Sequence, residues 1–311
     1  MIKGKILVTD TLFILDEHVQ QLENAGYEVI RNEKPDLNEN ELIEALNGID
    51  GYILGGIEYM TDVVVEASDQ LKAVVFTGTG YQGHIPGYKT AESRGIKIGN
   101  TPYANVYEVS EWALAATLAM QRNLFALGPN GSEKFSTVNS LPDVSVGIIG
   151  LGRIGRKYAE MISGLGAKNI SYWSRSEKDS SFSFTSKERV FGESDIVFVA
   201  VGDEAGVDFI SKNELSRMKK NAMLVSISHH GIINEKDLYE AITENRVRAV
   251  LDIVKDKELF RSLPSDKWYG SNESAAYNSL SFLKRSSDMA VKTLINLLET
   301  ADDQYRVLLR S

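Results

Sequence analysis

Short apolar runs alternate with amphipathic stretches along the first hundred residues. Ile6–Val8, Tyr27–Ile30, Tyr52–Leu54, Leu71–Phe76 and Ile96–Ile98 read as strands. Between them Asp16–Gly26, Asn38–Asn47, Thr61–Ala67 and Lys89–Ser93 read as helices, two of them ended by glycine at Gly26 and Gly48. Such alternation predicts βαβ units and a parallel sheet, whose ligands bind at the carboxyl ends of the strands. Two glycine-rich tips stand at such ends, Gly55-Gly56 and Thr77-Gly78-Thr79-Gly80-Tyr81. Thr79, Gly80 and Tyr81 are therefore candidate substrate contacts, tight turning being the plainer role of the glycines.

After Asn100-Thr101-Pro102 the pattern changes. Val106–Leu127 is long, alanine-rich and apolar on most faces, which predicts one helix buried in a core or a subunit interface. Gly128–Pro142 reads as a linker. From about Asp143 the alternation resumes. A strand ends at Ile149, a helical segment follows, and Ile170–Trp173 is a second strand. Ser186–Phe191 is a short helix, Asp195–Val201 a buried strand, and Ser211 caps a helix to Met218 with Glu214 at capping-box spacing. Ala222–Ile227 and Arg248–Ile253 are strands flanking a helix over Glu235–Glu244. Lys255–Trp268 has no clear pattern, and Ser279–Leu298 is a last amphipathic helix.

Within the first of these units lies Gly150-Leu151-Gly152-Arg153-Ile154-Gly155, a G-x-G-x-x-G run that follows a strand and opens a helix. In that setting the first glycine turns the chain, the second lets a pyrophosphate approach the backbone, and the third lets helix and strand pack closely. The phosphates then sit at the positive end of the new helix. A dinucleotide site is expected, formed by Gly150, Gly152, Arg153, Ile154 and Gly155, with the strand-end residues Val201, Gly202, Ile227 and Ser228 assigned to the same cofactor. The second strand ends Trp173-Ser174-Arg175-Ser176, with Lys178 beyond and no carboxylate at its tip. A ribose 2′-hydroxyl calls for Asp or Glu there, a 2′-phosphate for Arg. Ser174, Arg175 and Ser176 thus point to NADP(H), with NAD(H) possible.

Length, 311 residues, suggests two α/β domains, each large enough for its own core. The expected division is residues 1–102 with 280–311 as a discontinuous substrate domain and residues 103–279 as the dinucleotide-binding domain, with the active cleft between them. Net charge of −9 without a basic stripe argues against nucleic acid and anionic membrane as partners. With no cysteine there is neither a disulfide nor a thiolate metal site, and four scattered histidines make no zinc pattern. The first residues read as a strand and not as a signal peptide, and no run reaches membrane-spanning length. A cytoplasmic enzyme or cofactor binder is the expectation.

Taken in order, Gly78-Thr79-Gly80-Tyr81, Gly95-Ile96, Asn100-Thr101-Pro102, Val109-Ser110-Glu111, Val146–Gly155, Ser194–Val197, Gly231–Ala241 and Leu251-Asp252 resemble the NAD(P)-dependent D-2-hydroxyacid dehydrogenases along almost the whole chain. The resemblance implies a Rossmann-type doubly wound parallel sheet domain, a flavodoxin-like α/β substrate domain, and a homodimer built around the long helix. It implies hydride transfer between a nicotinamide and a small 2-oxo or 2-hydroxy acid, with Asp252 contacting the nicotinamide amide. In the family an Arg fixes the substrate carboxylate, a His handles the proton, and a Glu tunes that His.

At those positions this chain departs from the pattern. His229 of Ser226-Ile227-Ser228-His229-His230-Gly231 stands in place of the Arg, Lys257 in place of the Glu with Glu258 one residue late, and Ser274 or Glu273 in place of the His. His229 and Lys257 are the candidate catalytic residues, a desolvated lysine being able to lose its charge and a histidine to act as acid or to polarise a carbonyl or imine. His230 and Tyr277 are candidate substrate contacts. Three readings follow: an NADP(H)-dependent oxidoreductase with substitute residues, a dinucleotide-binding protein that has lost turnover and serves as redox sensor or assembly partner, and an ordinary 2-oxo acid reductase with a displaced histidine, for which the sequence offers His229, His230 and the distant His18 and His84, the last following the Gly80-Tyr81 tip.

Overall fold

A computed structural model describes residues 2–9, 14–32, 34, 36–128, 137–244, 246–300 and 302–307. Two compact units form, Met1–Asn105 with Asn278–Ser311, and Val106–Tyr277. Of the stretch expected to be a linker, residues 129–136 lie outside the described residues, as do residues 301 and 308–311 of the segment expected to complete the first domain.

In the first unit Gly4–Val8 (β1), Tyr27–Arg31 (β2), Gly51–Leu54 (β3), Ala73–Phe76 (β4) and Lys97–Asn100 (β5) form a parallel sheet in the order β2-β1-β3-β4-β5, the flavodoxin-like arrangement. The inner strands β3 and β4 are apolar at every position because both their faces are covered, while the edge strands β2 and β5 carry Glu28, Arg31, Lys97 and Asn100. Alternate residues go to opposite sides. Leu7, Tyr52, Leu54 and Val74 pack with Leu42, Val64, Val65 and Ala91 of three short helices. Ile6, Val8, Ile53, Ala73 and Val75 pack with Leu22 of the helix Asp16–Asn24 and with Ala290, Val291, Leu294 and Leu297 of the helix Leu280–Glu299. That last helix lies on β3, β4 and β5, so residues from the far end of the sequence supply one wall of the first core.

His18, fully buried, joins two of these helices. Its Nδ1 accepts from the Leu15 amide at 3.2 Å and its Nε2 lies 3.0 Å from Asp288 on the last helix. With Nδ1 accepting, Nε2 is the nitrogen that donates to Asp288.

The second unit carries Ser145–Ile149 (β6), Asn169–Trp173 (β7), Ser183–Phe184 (β8), Ile196–Val199 (β9), Ala222–Ser226 (β10), Val247–Leu251 (β11) and Trp268–Gly270 (β12). All pair in parallel in the order β12-β11-β10-β9-β6-β7-β8, a doubly wound Rossmann sheet extended by one strand. Val146, Ile148, Tyr172, Phe198 and Val225 face the helices Val106–Gln121 and Arg153–Gly164, while Ile149, Val197, Val199, Leu224 and Leu251 face those at Lys187–Glu193, Lys212–Arg217 and Glu235–Thr243. The capping box expected at Ser211 forms, the Ser211 amide donating to Glu214 Oε2 at 3.1 Å.

Four expectations need correction. The helix over Val106–Leu127 is two, Val106–Gln121 and Leu124–Leu127, broken at Asn123 with φ 51°. Apolar content does not register the break, because asparagine tolerates the left-handed region. Its apolar residues are not all buried either, since Tyr107, Leu124, Phe125 and Leu127 are exposed in the chain by itself. The segment without pattern holds the helix Lys257–Phe260 and the edge strand β12, whose three residues are half-buried. The tip after β4 is not all loop, for Tyr81–His84 is a helical turn.

Truncating Leu294 to Ala, fully buried between the last helix and the first sheet, is expected to cost about 2–5 kcal/mol. The check is urea unfolding of the full chain, in which the midpoint should fall.

Candidate functional site

The second sheet brings the turns after β6, β7, β9 and β10 together at the carboxyl ends of its strands. At the first, Gly150 takes φ 96°, a conformation only glycine adopts freely, and its amide donates to Trp173 O at 2.9 Å. A Cβ there would also lie 2.5 Å from Ala200 O. A Cβ on Gly155 would lie 2.0 Å from Gly150 O, so the helix Arg153–Gly164 can approach β6 this closely only without a side chain at that position. Gly152 differs from both. It is the N-cap, its backbone is ordinary for any L-residue, and a Cβ would meet nothing within 4 Å. The missing side chain there leaves open space directly before the first amides of a twelve-residue helix, which have no intrahelical partner. A pyrophosphate fits that cradle.

Ile154 points the other way, its side chain packing with the core of the second unit and its carbonyl accepting from Ser110 Oγ at 3.3 Å. Only its backbone is on the cradle side. Arg153, at the first helical position, is exposed.

Around the cradle a cleft of about 320 Å³ is lined by Gly150, Gly152, Trp173, Arg175, Val201 and Gly202, with Phe209 and Glu204 at its far end. Hollows of about 470 and 510 Å³ open near Ala222 and Arg248 and near Ser145 and Asn169, at the amino ends of strands. The chemistry of an open parallel sheet lies at the other end, so the smaller cleft is the site.

The loop after β7 is built from within. Tyr172 Oη accepts from the Lys178 amide at 2.8 Å, and the Ser174 hydroxyl, buried, donates to Ser176 O at 2.6 Å. Ser174 thus shapes the turn, leaving Arg175 exposed at its tip and Lys178 donating to Ser176 Oγ at 3.1 Å. Arg175 Nη2 lies 3.5 Å from Glu204 Oε1. The strand tip itself carries no carboxylate, yet folding delivers one from the loop after β9. Nothing local in the sequence signals it, since Glu204 stands 29 residues from Arg175 along the chain.

Two expected cofactor contacts, Ser228 and Ile227, have their side chains engaged within the protein. The Ser228 hydroxyl, buried, donates to Val201 O at 2.9 Å and accepts from Val201 N at 3.1 Å, fastening the end of β10 to the end of β9. Ile227 packs its side chain into the core and does not line the cleft. Val201 and Gly202 do line it.

Asp252 is only 3% exposed, and its carboxylate accepts from Ser274 Oγ (2.9 Å), Ala275 N (2.9 Å) and Ala276 N (3.1 Å). It anchors the turn on which Glu273, Ser274 and Tyr277 stand. Tyr277 is half-buried.

His229 and His230 are adjacent, with ring centroids 3.8 Å apart, and His229 Nδ1 lies 3.8 Å from Asp203 Oδ1. His229 is about half exposed and can meet a ligand. Burial holds His230 below the ordinary imidazole range, the neighbouring His229 and Lys255 acting in the same direction. Lys257 contradicts its expected role. Its side chain is 49% exposed, and its ammonium bonds Asn272 O and Glu273 Oε1, the latter at 3.1 Å. It is not the buried lysine expected at this position.

In the first unit Thr79 and Gly80 are exposed at the tip after β4, which is tied down by Asn100 Nδ2 donating to Thr79 O at 2.9 Å and by Thr101 N donating to Gly78 O at 3.1 Å. Tyr81 is not a surface contact. It is buried, edge-on to Tyr88 at 5.9 Å, and burial raises its hydroxyl above the usual range. His84 is stacked between Phe76 (4.6 Å) and Tyr59 (5.8 Å), and burial lowers it from 6.5, partly offset by a hydrogen bond with the Glu58 backbone. Among the described residues no group of three or more His, Cys, Asp or Glu could hold a metal ion.

Three outcomes are expected. Gly152→Ala should leave the stability within about 0.5 kcal/mol of the parent yet weaken dinucleotide binding about tenfold or more, a change of about 1.4 kcal/mol. Gly155→Ala should instead destabilise the fold by about 1–3 kcal/mol, because the helix must move off β6; calorimetric titration and urea unfolding separate the two. For His84, the unfolded chain binds a proton more readily than the folded one, so stability falls as pH drops through 6.5. Replacing it by Phe, which keeps the stack, should flatten the decline in thermal midpoint between about pH 7 and about pH 5.

Residues 114–272 match the D-isomer specific 2-hydroxyacid dehydrogenase, NAD binding domain. The chain is 28% identical over 225 residues to a hydroxypyruvate reductase of Thermotoga maritima, covering 70% of this chain and 73% of that protein. It is 27% identical over 266 residues to a D-3-phosphoglycerate dehydrogenase of Methanocaldococcus jannaschii, a match of 81% of this chain that spans about half, 49%, of that relative. In fold it is similar to an acyclic imino acid reductase solved with NADPH and D-Arg (TM-score 0.86, 19% identity, 98% and 100% of the two chains). It is similar also to the NAD+-bound 3-phosphoglycerate dehydrogenase of Entamoeba histolytica (TM-score 0.84, 18% identity, 98% and 99%). A nicotinamide dinucleotide is the cofactor such a domain holds, and the chain belongs to the D-isomer specific 2-hydroxyacid dehydrogenase family.

Proposed function

We propose that the protein is an NADP(H)-dependent oxidoreductase with a non-standard active site, transferring hydride to or from a small carbonyl, hydroxy or imine substrate. The observation that carries this reading is a contrast within the second unit. The dinucleotide cradle at Gly150, Gly152 and Gly155 is intact, with Arg175 at its far end, while His229 holds the position where the family places its carboxylate-binding Arg. The bound nicotinamide supplies the hydride. The chain itself supplies the groups that orient the substrate and handle a proton.

His229, exposed beside His230 and Asp203, is the group best placed to donate a proton to a developing alkoxide or amine. His230, depressed by burial, serves as a neutral hydrogen-bonding partner of the substrate. Lys257 holds the Glu273 turn and acts at most through it. The first unit is the substrate domain, with Thr79 and Gly80 as its contact. An imine substrate gains support from the imino acid reductase, which has this fold with NADPH and D-Arg bound. A histidine in place of an arginine also weakens the fixed positive clamp that a 2-oxo acid carboxylate needs. The exposed Leu124, Phe125 and Leu127 support a homodimer that covers them. Among the described residues no helix is long and apolar enough to cross a membrane.

The test incubates the purified chain and NADPH with a panel of 2-oxo acids, aldehydes and imines, following loss of nicotinamide absorbance. Turnover is expected with at least one carbonyl or imine class, and His229→Ala should lower kcat/KM by about 10²–10⁴-fold, the range of general acid–base catalysis. Tight NADPH binding without turnover anywhere in the panel would instead establish a dinucleotide-binding protein, and an undiminished rate in His229→Ala would point to another proton donor.

A further inference from the structure

The far end of the cleft carries both signs of charge. Arg175 and Lys178 line it together with Glu204, and Arg175 Nη2 lies 3.5 Å from Glu204 Oε1. Glu204 is directed into the cleft and not away from it. Its carboxylate folds back over Gly202, where an added Cβ would lie 2.2 Å from Oε2, so the glycine is what leaves room for it. Both partners are well exposed, 78% and 58%, so the pair is weak and easily opened.

We infer that Glu204 is a specificity-determining residue that sets the ratio of NADPH to NADH by competing for Arg175. The inference rests on the NADP(H) reading above. A guanidinium binds a phosphate in the same planar manner as a carboxylate, so an incoming 2′-phosphate and Glu204 claim the same donors. The phosphate carries the greater charge and displaces the carboxylate, yet it must break the pair and then remain near an anion. A cofactor with a bare 2′-hydroxyl requires neither step and leaves the pair closed. Glu204 therefore penalises the phosphorylated cofactor alone. It narrows the preference Arg175 creates, and the site accepts both dinucleotides. Like charges held side by side repel even in water, and partial exclusion of solvent by the cleft strengthens the repulsion. With a phosphate near −2 the expected effect is roughly five- to tenfold in affinity.

Equilibrium titration of the full-length chain with NADPH and separately with NADH, followed by calorimetry at low ionic strength, reads the effect without turnover. Circular dichroism confirms that each variant is folded. Glu204→Gln should tighten NADPH about five- to tenfold and leave NADH within about twofold, and added salt should shrink the gain because these charges are exposed. Arg175→Gln should weaken NADPH and spare NADH. If Arg175→Gln weakens NADPH while Glu204→Gln leaves it unchanged, or weakens both cofactors, the competing role of Glu204 is wrong and the NADP(H) reading stands. Should Arg175→Gln leave NADPH untouched, the NADP(H) reading itself is wrong, whatever Glu204 does.

Discussion

One close approach organises the second unit. The helix Arg153–Gly164 leaves β6 through a turn so tight that the Gly150 carbonyl lies where a Cβ of Gly155 would be. A side chain at Gly155 would push helix and strand apart, and one at Gly150 would strike Ala200 at the end of β9. Held at that distance, the helix aims its unpaired first amides and positive end across the strand tips, and Gly152 keeps the space in front of them empty. Because β6 is flanked by β7 and β9, the same turn fixes where the ends of those strands arrive. The positions of Arg175 and Glu204 follow from it.

Beyond the cradle the site is assembled by hydrogen bonds that serve the backbone. Ser228 joins the ends of β9 and β10, Ser174 folds the β7 turn, and Asp252 gathers three donors from residues 274–276. Each was a plausible ligand contact by position, and each spends its polar atoms on holding a loop. A buried carboxylate needs such partners, since leaving it without them costs several kcal/mol. In the second unit His229 and Arg175, by contrast, keep exposed and lightly engaged side chains.

The regular elements were legible because strands covered on both faces are apolar throughout, and because glycine and Asn, Ser or Thr mark helix ends in the expected places, as at Asn38, Thr61 and Ser211. The misses have physical causes of their own. β8 has two residues and β12 three, too few to show a period, and they form because a sheet edge is available to pair with. The break at Asn123 depends on one residue entering the left-handed region. Tyr81, read as a contact because it follows a glycine tip, turns inward because the four residues after the tip wind into a helical turn against the core.

The chain's own pattern determined two parallel α/β sheets, the glycine turn, and the presence of a cation at the end of β7, since each depends on spacing within a few residues. Tertiary structure alone decided what that cation faces and which polar residues are available. Glu204 reaches Arg175, Ser274 reaches Asp252 and Asp288 reaches His18 only after segments separated by 29, 22 and 270 residues have been folded together. Charge and hydrogen bonding act over a few ångströms of space, and sequence order carries no measure of that distance.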